Sequence, residues 1–176
     1  MSCVIRSFFP FVLLLLPSTV LLAQPAPKSL RLFQLTKKAG YMFSGTVLSV
    51  QRVGANKNVA AETVAVTFRV DKGIRGTKTG QTLTIREWAG LWNAGERYRP
   101  GEHVFLFLYA PSRLGLTSPV GGDSGRLAIG RGDRVTLPDH MVDEFPIGAK
   151  AKRDARQNHT MPLRQFAAAI RRASEE

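Results

Sequence analysis

Between Glu62 and Asp71 the chain alternates. Val64, Val66, Phe68 and Val70 share one face, while Thr67, Arg69 and Asp71 take the other. A strand repeats every two residues and a helix every 3.6, so this stretch is predicted to be a half-buried β-strand. Its neighbours read the same way. Tyr41 to Val53 is one long β run with Gly45 in its middle, where a bulge or sharp coil fits. Gly54 to Ala61 is a loop and Gly73 to Gly80 a turn. Gln81 to Trp88 alternates again, with Leu83 and Ile85 inward and Thr82, Thr84 and Arg86 outward. His103 to Tyr109 is apolar on both faces, which predicts a central strand covered on both sides.

The glycine-rich stretch from Gly115 to Leu137 is expected to hold short strands near Leu116-Thr117, Arg126 to Ile129 and Arg134 to Leu137. Ser29 to Ala39 carries a short helical stripe that stops at Gly40. A second helix is expected over 160–176. Thr160 can cap it, Pro162 suits its first turn, and Leu163, Phe166, Ala167 and Ile170 fall on one face. Residues 138–159 are expected to be irregular and polar, with a basic cluster at Lys150, Lys152, Arg153 and Arg156. Five or six short strands between two helices predict a mainly β fold, a small closed barrel that leaves no sheet edge exposed; an open sandwich is the competing arrangement.

The N-terminus has the three parts of a secretory signal peptide. Arg6 supplies positive charge, an apolar run extends from Phe8 to Leu22, and Ala23 can precede the scissile bond. Cleavage there would leave Gln24-Pro25-Ala26-Pro27 as an extended start, with 24–28 leading into the domain at 29–137. The alternative is a retained membrane anchor, for which the run is short and interrupted by Pro10 and Pro17. The protein is thus expected in the periplasm or outside the cell. Cys3, the only cysteine, departs with residues 1–23, so the mature chain would hold no disulfide and no thiol nucleophile. The formal net charge is +12. In an exported protein such charge points to acidic polysaccharide, anionic lipid headgroups or an envelope protein, with no nucleic acid expected, or simply to a solubilising surface.

The order of three segments carries a family resemblance. Tyr41-Met42-Phe43-Ser44-Gly45-Thr46-Val47 is followed by Val66-Thr67-Phe68-Arg69-Val70-Asp71-Lys72-Gly73-Ile74-Arg75-Gly76, and then by Tyr98-Arg99-Pro100-Gly101-Glu102 before the apolar strand Val104 to Tyr109. Over about 29–130 this resembles the netrin-like and tissue-inhibitor-of-metalloproteinases-like OB-fold domains, including bacterial secreted members. The resemblance implies an exported OB-like barrel and, by analogy, an inhibitor of an extracellular protease. The animal inhibitors act through an N-terminal cysteine that chelates zinc, and no residue here matches it, so no functional residue is carried over.

Catalytic motifs are weak. Gly122-Asp123-Ser124-Gly125 spells a serine-protease nucleophile segment, but of the three histidines only His103 precedes it, and a glycine-rich turn explains the same residues. Gly76-Thr77-Lys78-Thr79-Gly80 lacks the spacing of a phosphate loop. His103, His140 and His159 are far apart in the chain; Asp139, Asp143 and Glu144 beside His140 form at most a loop cation site or a solvated acidic patch. Arg131-Gly132-Asp133, an adhesion tripeptide, sits on an expected turn. No catalytic residue, metal ligand or cofactor is assigned.

The segment 86–99 holds both tryptophans among basic residues. Arg86, Trp88, Trp92, Arg97, Tyr98 and Arg99 are the candidate ligand-binding set, since aromatics beside cations suit sugars, peptides or bases. The alternative is that the tryptophans cap the core. The expected function is a non-enzymatic exported binding domain for a protein or anionic polymer, with protease inhibition or an unrecognised hydrolase as the other readings.

Overall fold

The computed structural model describes residues 31–54, 61–93, 95, 97–142, 145, 152–153 and 158–175. The expected signal segment 1–23, the extended start at 24–28 and, of the basic cluster, Lys150 and Arg156 lie outside the described residues. The fold is mainly β, an antiparallel sheet with a few helices. Its strands are β1 (Tyr41–Val53), β2 (Thr63–Arg75), β3 (Thr82–Trp88), β4 (His103–Leu108), β5 (Arg126–Gly130), β6 (Arg134–Leu137), β7 (Lys152–Arg153) and β8 (His159–Pro162). They lie in the order β3-β2-β1-β4-β5-β6-β8-β7. The helices are α1 (Leu32–Lys38), α2 (Asp139–Val142) and α3 (Leu163–Glu175).

β1 is the hub. Its first half pairs with β4, from Tyr41↔Leu108 to Thr46↔His103, while its whole length pairs with β2. Register shifts at Met42/Phe43, Ser44/Gly45 and Val47/Ser49 bend it, because each unmatched residue adds local twist. Gly45 is required there: a Cβ would lie 2.7 Å from the Arg69 carbonyl oxygen across the ladder. β2 runs past the expected turn at Gly73 to Arg75, because Met42, Phe43 and Ser44 supply partners for Arg75, Gly73 and Lys72. Gly76 then reverses the chain at φ +68°, with the Gly40 carbonyl oxygen 2.5 Å from where a Cβ would stand.

β4 separates two cores, as its two apolar faces require. Val104, Leu106 and Leu108 pack with Phe43, Val66, Phe68 and Ile85. On the opposite face Phe105 and Phe107 pack with Leu35 of α1, Val135, Met161 and Phe166 of α3. Phe166 stands edge-on to Phe105 at 4.9 Å, a geometry worth about 0.5–1.5 kcal/mol beyond burial. Arg75 ties β2 to α1, its Nη1 donating to the Thr36 and Ala39 carbonyls at 2.6 and 3.2 Å, where a helix C-terminus leaves acceptors unmet.

The C-terminal third departs from expectation. Thr160 and Pro162 belong to β8 instead of capping a helix over 160–176, and α3 starts at Leu163. β8 pairs with β6 from Arg134↔Pro162 to Leu137↔His159, and Arg134 Nη2 donates to the Thr160 carbonyl at 2.8 Å. The span 138–159, expected to be irregular, also contains α2 and β7. Near Leu116 the structure has bridges in place of a strand. Leu116 meets Arg86 in parallel and Pro119 meets Leu108 antiparallel, so the chain from 116 to 119 runs between the ends of β3 and β4. Among the described residues no helix is long and apolar enough to cross a membrane.

Candidate functional site

The alternation of β3 continues one step past Ile85 and carries Glu87 inward, where it is 0% exposed. A 3-10 turn, Ala89–Trp92, then folds the chain back over it. Trp92, 4% exposed, donates from Nε1 to Glu87 Oε2 at 3.0 Å. Tyr98, 1% exposed, donates its hydroxyl to Oε1 at 3.2 Å. Arg97 Nε lies 3.6 Å from Oε2, an ion-pair distance too long for a hydrogen bond. The Tyr98 ring meets Phe68 edge-on at 5.5 Å, and the Arg126 guanidinium, itself paired with Glu102, lies 5.3 Å from the ring centre.

Burial pushes the Glu87 carboxyl above its ordinary 4.5, and the Arg97 charge together with the Tyr98 and Trp92 hydrogen bonds pulls it back only in part. Burial, and next the Glu87 charge, hold the Tyr98 phenol well above its ordinary 10.0, so it stays a neutral donor. Both Glu87 oxygens are engaged and no part of the side chain reaches solvent. Its role is to position: it fixes two aromatic rings from behind.

The six candidate residues therefore do not form one platform. Strand parity sends Arg86 and Trp88 outward and the turn sends Trp92 inward, with Tyr98 packed against it at 5.8 Å. Arg97 is half-buried beside them, and Arg99 is exposed in the turn before β4. Trp88 is 53% exposed and its indole lies over Gly90, where a Cβ would come within 2.4 Å of the ring. On the same outer face β3 presents Thr82, Thr84 and Arg86 beside Arg69, Thr67 and Ala65 of β2. The Thr67 and Thr84 hydroxyls meet at 3.0 Å. Asp71 closes the far end of the row, held by Arg69 Nε at 3.2 Å and Thr46 Oγ1 at 3.0 Å, with His103 Nε2 3.2 Å away. Arg86 makes no ion pair among the described residues.

On the inner side, a cavity of about 480 Å³ opens beside the aromatic pair. Val50, Val64, Trp92, Tyr98 and Pro100 wall it, and among the described residues Arg52 is its charged member.

The other motifs fall on turns. Gly122–Gly125 forms a 3-10 turn, and Arg131-Gly132-Asp133 is the exposed reversal between β5 and β6. Asp139 meets His159 Nδ1 at 3.1 Å, and Asp143 and Glu144 lie outside the described residues. Among the described residues no group of three or more His, Cys, Asp or Glu side chains could hold a metal ion. Comparison of the chain with family models, curated proteins and solved structures finds no match.

Proposed function

We propose that this chain is an exported, OB-like binding domain that holds an anionic polysaccharide along the outer face of β2 and β3. The observation that carries the reading is the outward row ending in a half-exposed Trp88 beside an unpaired Arg86. An indole with an open face stacks on a sugar ring, a free guanidinium takes its carboxylate or sulfate, and threonine hydroxyls serve its hydroxyl groups. The Leu116 and Pro119 bridges support the barrel, since they link the ends of β3 and β4 across the segment between them. In OB-folds the face of the second and third strands is a customary oligosaccharide surface. The signal-like N-terminus and the net charge of +12 favour an acidic polymer in the envelope or outside the cell.

The test is calorimetric titration with polygalacturonate and dextran sulfate, with neutral dextran as control. The acidic polymers should bind with an affinity that falls as salt rises, and Trp88→Ala or Arg86→Ala should each weaken binding roughly tenfold, about 1.4 kcal/mol. Their unfolding midpoints should stay within about 2 °C of the parent. Equal binding of neutral dextran, or undiminished binding by both variants, would overturn the assignment.

A further inference from the structure

We infer that the cavity at the end of β1 is a second, independent site that takes a small organic acid with an aromatic or alicyclic body. The argument starts from Glu87. It accepts the Trp92 Nε1 and Tyr98 hydroxyl hydrogens, so the polar tips of both residues are already satisfied inside the protein. Trp92 and Tyr98 stand at the cavity wall, 4% and 1% exposed. Val50, Val64 and Pro100 line the cavity beside them. A ligand that filled the space would bury apolar area against walls already held in place, which lowers the ordering cost of binding. The volume, about 480 Å³, lies within the ordinary range for small-molecule pockets.

The charge of the ligand follows from Arg52. It is exposed, lines the cavity, and makes no ion pair or side-chain hydrogen bond among the described residues. The Glu87 carboxylate is engaged behind the rings by Trp92 and Tyr98. Among the described lining residues Arg52 is the one cation, and a cation beside apolar side chains selects a single anionic group on a hydrophobic body. Gly95 also lines the cavity, and a Cβ there would meet nothing within 4 Å, so the lining is open on that side. This site is separate from the polysaccharide face: Trp92 looks inward while Trp88 looks outward, and either assignment can fail without the other.

The chain has two tryptophans, so Trp88→Ala leaves Trp92 as its sole indole reporter. Titration of that variant with 1-naphthoate, followed by calorimetry and by Trp92 emission, should show saturable one-site binding with a change in emission. The neutral 1-naphthalenemethanol should bind roughly tenfold more weakly, and Arg52→Ala should remove that preference. Val50→Phe fills the cavity from a half-buried position and should abolish binding of both compounds with the circular-dichroism spectrum intact. The inference is overturned if naphthoate fails to saturate, if acid and alcohol bind the Trp88→Ala protein equally, or if a folded Val50→Phe protein binds as before. Loss of naphthoate binding on Trp88→Ala alone, with the parent binding normally, would place the ligand on the outer face and overturn it as well.

Discussion

Replacing Glu87 tests whether the buried carboxylate organises the 86–99 segment. Glu87→Ala leaves the Trp92 indole N–H and the Tyr98 hydroxyl with no acceptor inside the protein, at about 1–3 kcal/mol each. Some of that is offset, because the substitution also removes a charge whose burial opposes ionisation. Arg97 also loses its ion-pair partner, and its buried Nε makes no hydrogen bond to replace it. The net loss should be about 2–4 kcal/mol, which for a domain of this size lowers the unfolding midpoint by roughly 10 °C. Glu87→Gln separates charge from hydrogen bonding. The amide oxygen can accept from Trp92 and the amide nitrogen can donate to Tyr98, so the cost at neutral pH should be only about 1 kcal/mol. Because the folded carboxyl titrates above its ordinary 4.5, its protonated form is favoured in the folded state. The stability this contributes is complete below 4.5 and is lost as pH rises through the folded value. Glutamine cannot titrate, so the stability difference between parent and Glu87→Gln should shift in favour of glutamine as pH rises from about 4 to 8. Urea unfolding followed by circular dichroism across that range reads it directly. A pH-independent difference, or a midpoint drop below about 2 °C for Glu87→Ala, would refute the reasoning.

Phe166→Ala should cost about 3–5 kcal/mol, since it removes the ring that meets Phe105 at 4.9 Å, Phe107 at 6.4 Å and Phe145 at 5.7 Å; chemical denaturation measures it. Gly76→Ala should destabilise by at least about 1–2 kcal/mol, because φ +68° strains any side chain and the Gly40 carbonyl oxygen blocks the Cβ. Its effect should appear in thermal unfolding, and a neutral result would mean that the β2–β3 turn tolerates another path.

The sheet was legible in the sequence wherever burial on one face imposed alternation. Val64 to Val70 marks the inner side of β2, and the two apolar faces of His103 to Leu108 mark a strand between two cores. β8 was not legible for a local reason. Thr160 and Pro162 ahead of an apolar helical stripe are the residues that open helices, and here they also end a strand. What decides between the two is distant in sequence: the free side of Arg134–Leu137 pairs with 159–162, and Arg134 fastens Thr160 from both its backbone and its hydroxyl. Capping chemistry is read within a few residues, whereas a ladder needs its partner strand.

The candidate site divides along the same line. Trp88 follows β3 parity, and a strict count from Leu83 and Ile85 puts it outward and Glu87 inward. The charge on Glu87 argues for solvent, since carboxylates are almost never fully buried without partners. Its partners, Trp92 and Tyr98, arrive from beyond the strand, after a 3-10 turn whose direction no periodicity encodes. The aromatic cluster visible in the sequence is therefore two structures of opposite polarity. Trp88 presents its ring to solvent beside a free cation, while Trp92 and Tyr98 turn their polar tips to an inward carboxylate and stand at the wall of a cavity. Glu87 separates them, because its inward step fixes which tryptophan faces which way. Had residue 87 been apolar, the indole N–H and the phenol would each need another acceptor, and the rings could not hold the cavity wall in this orientation.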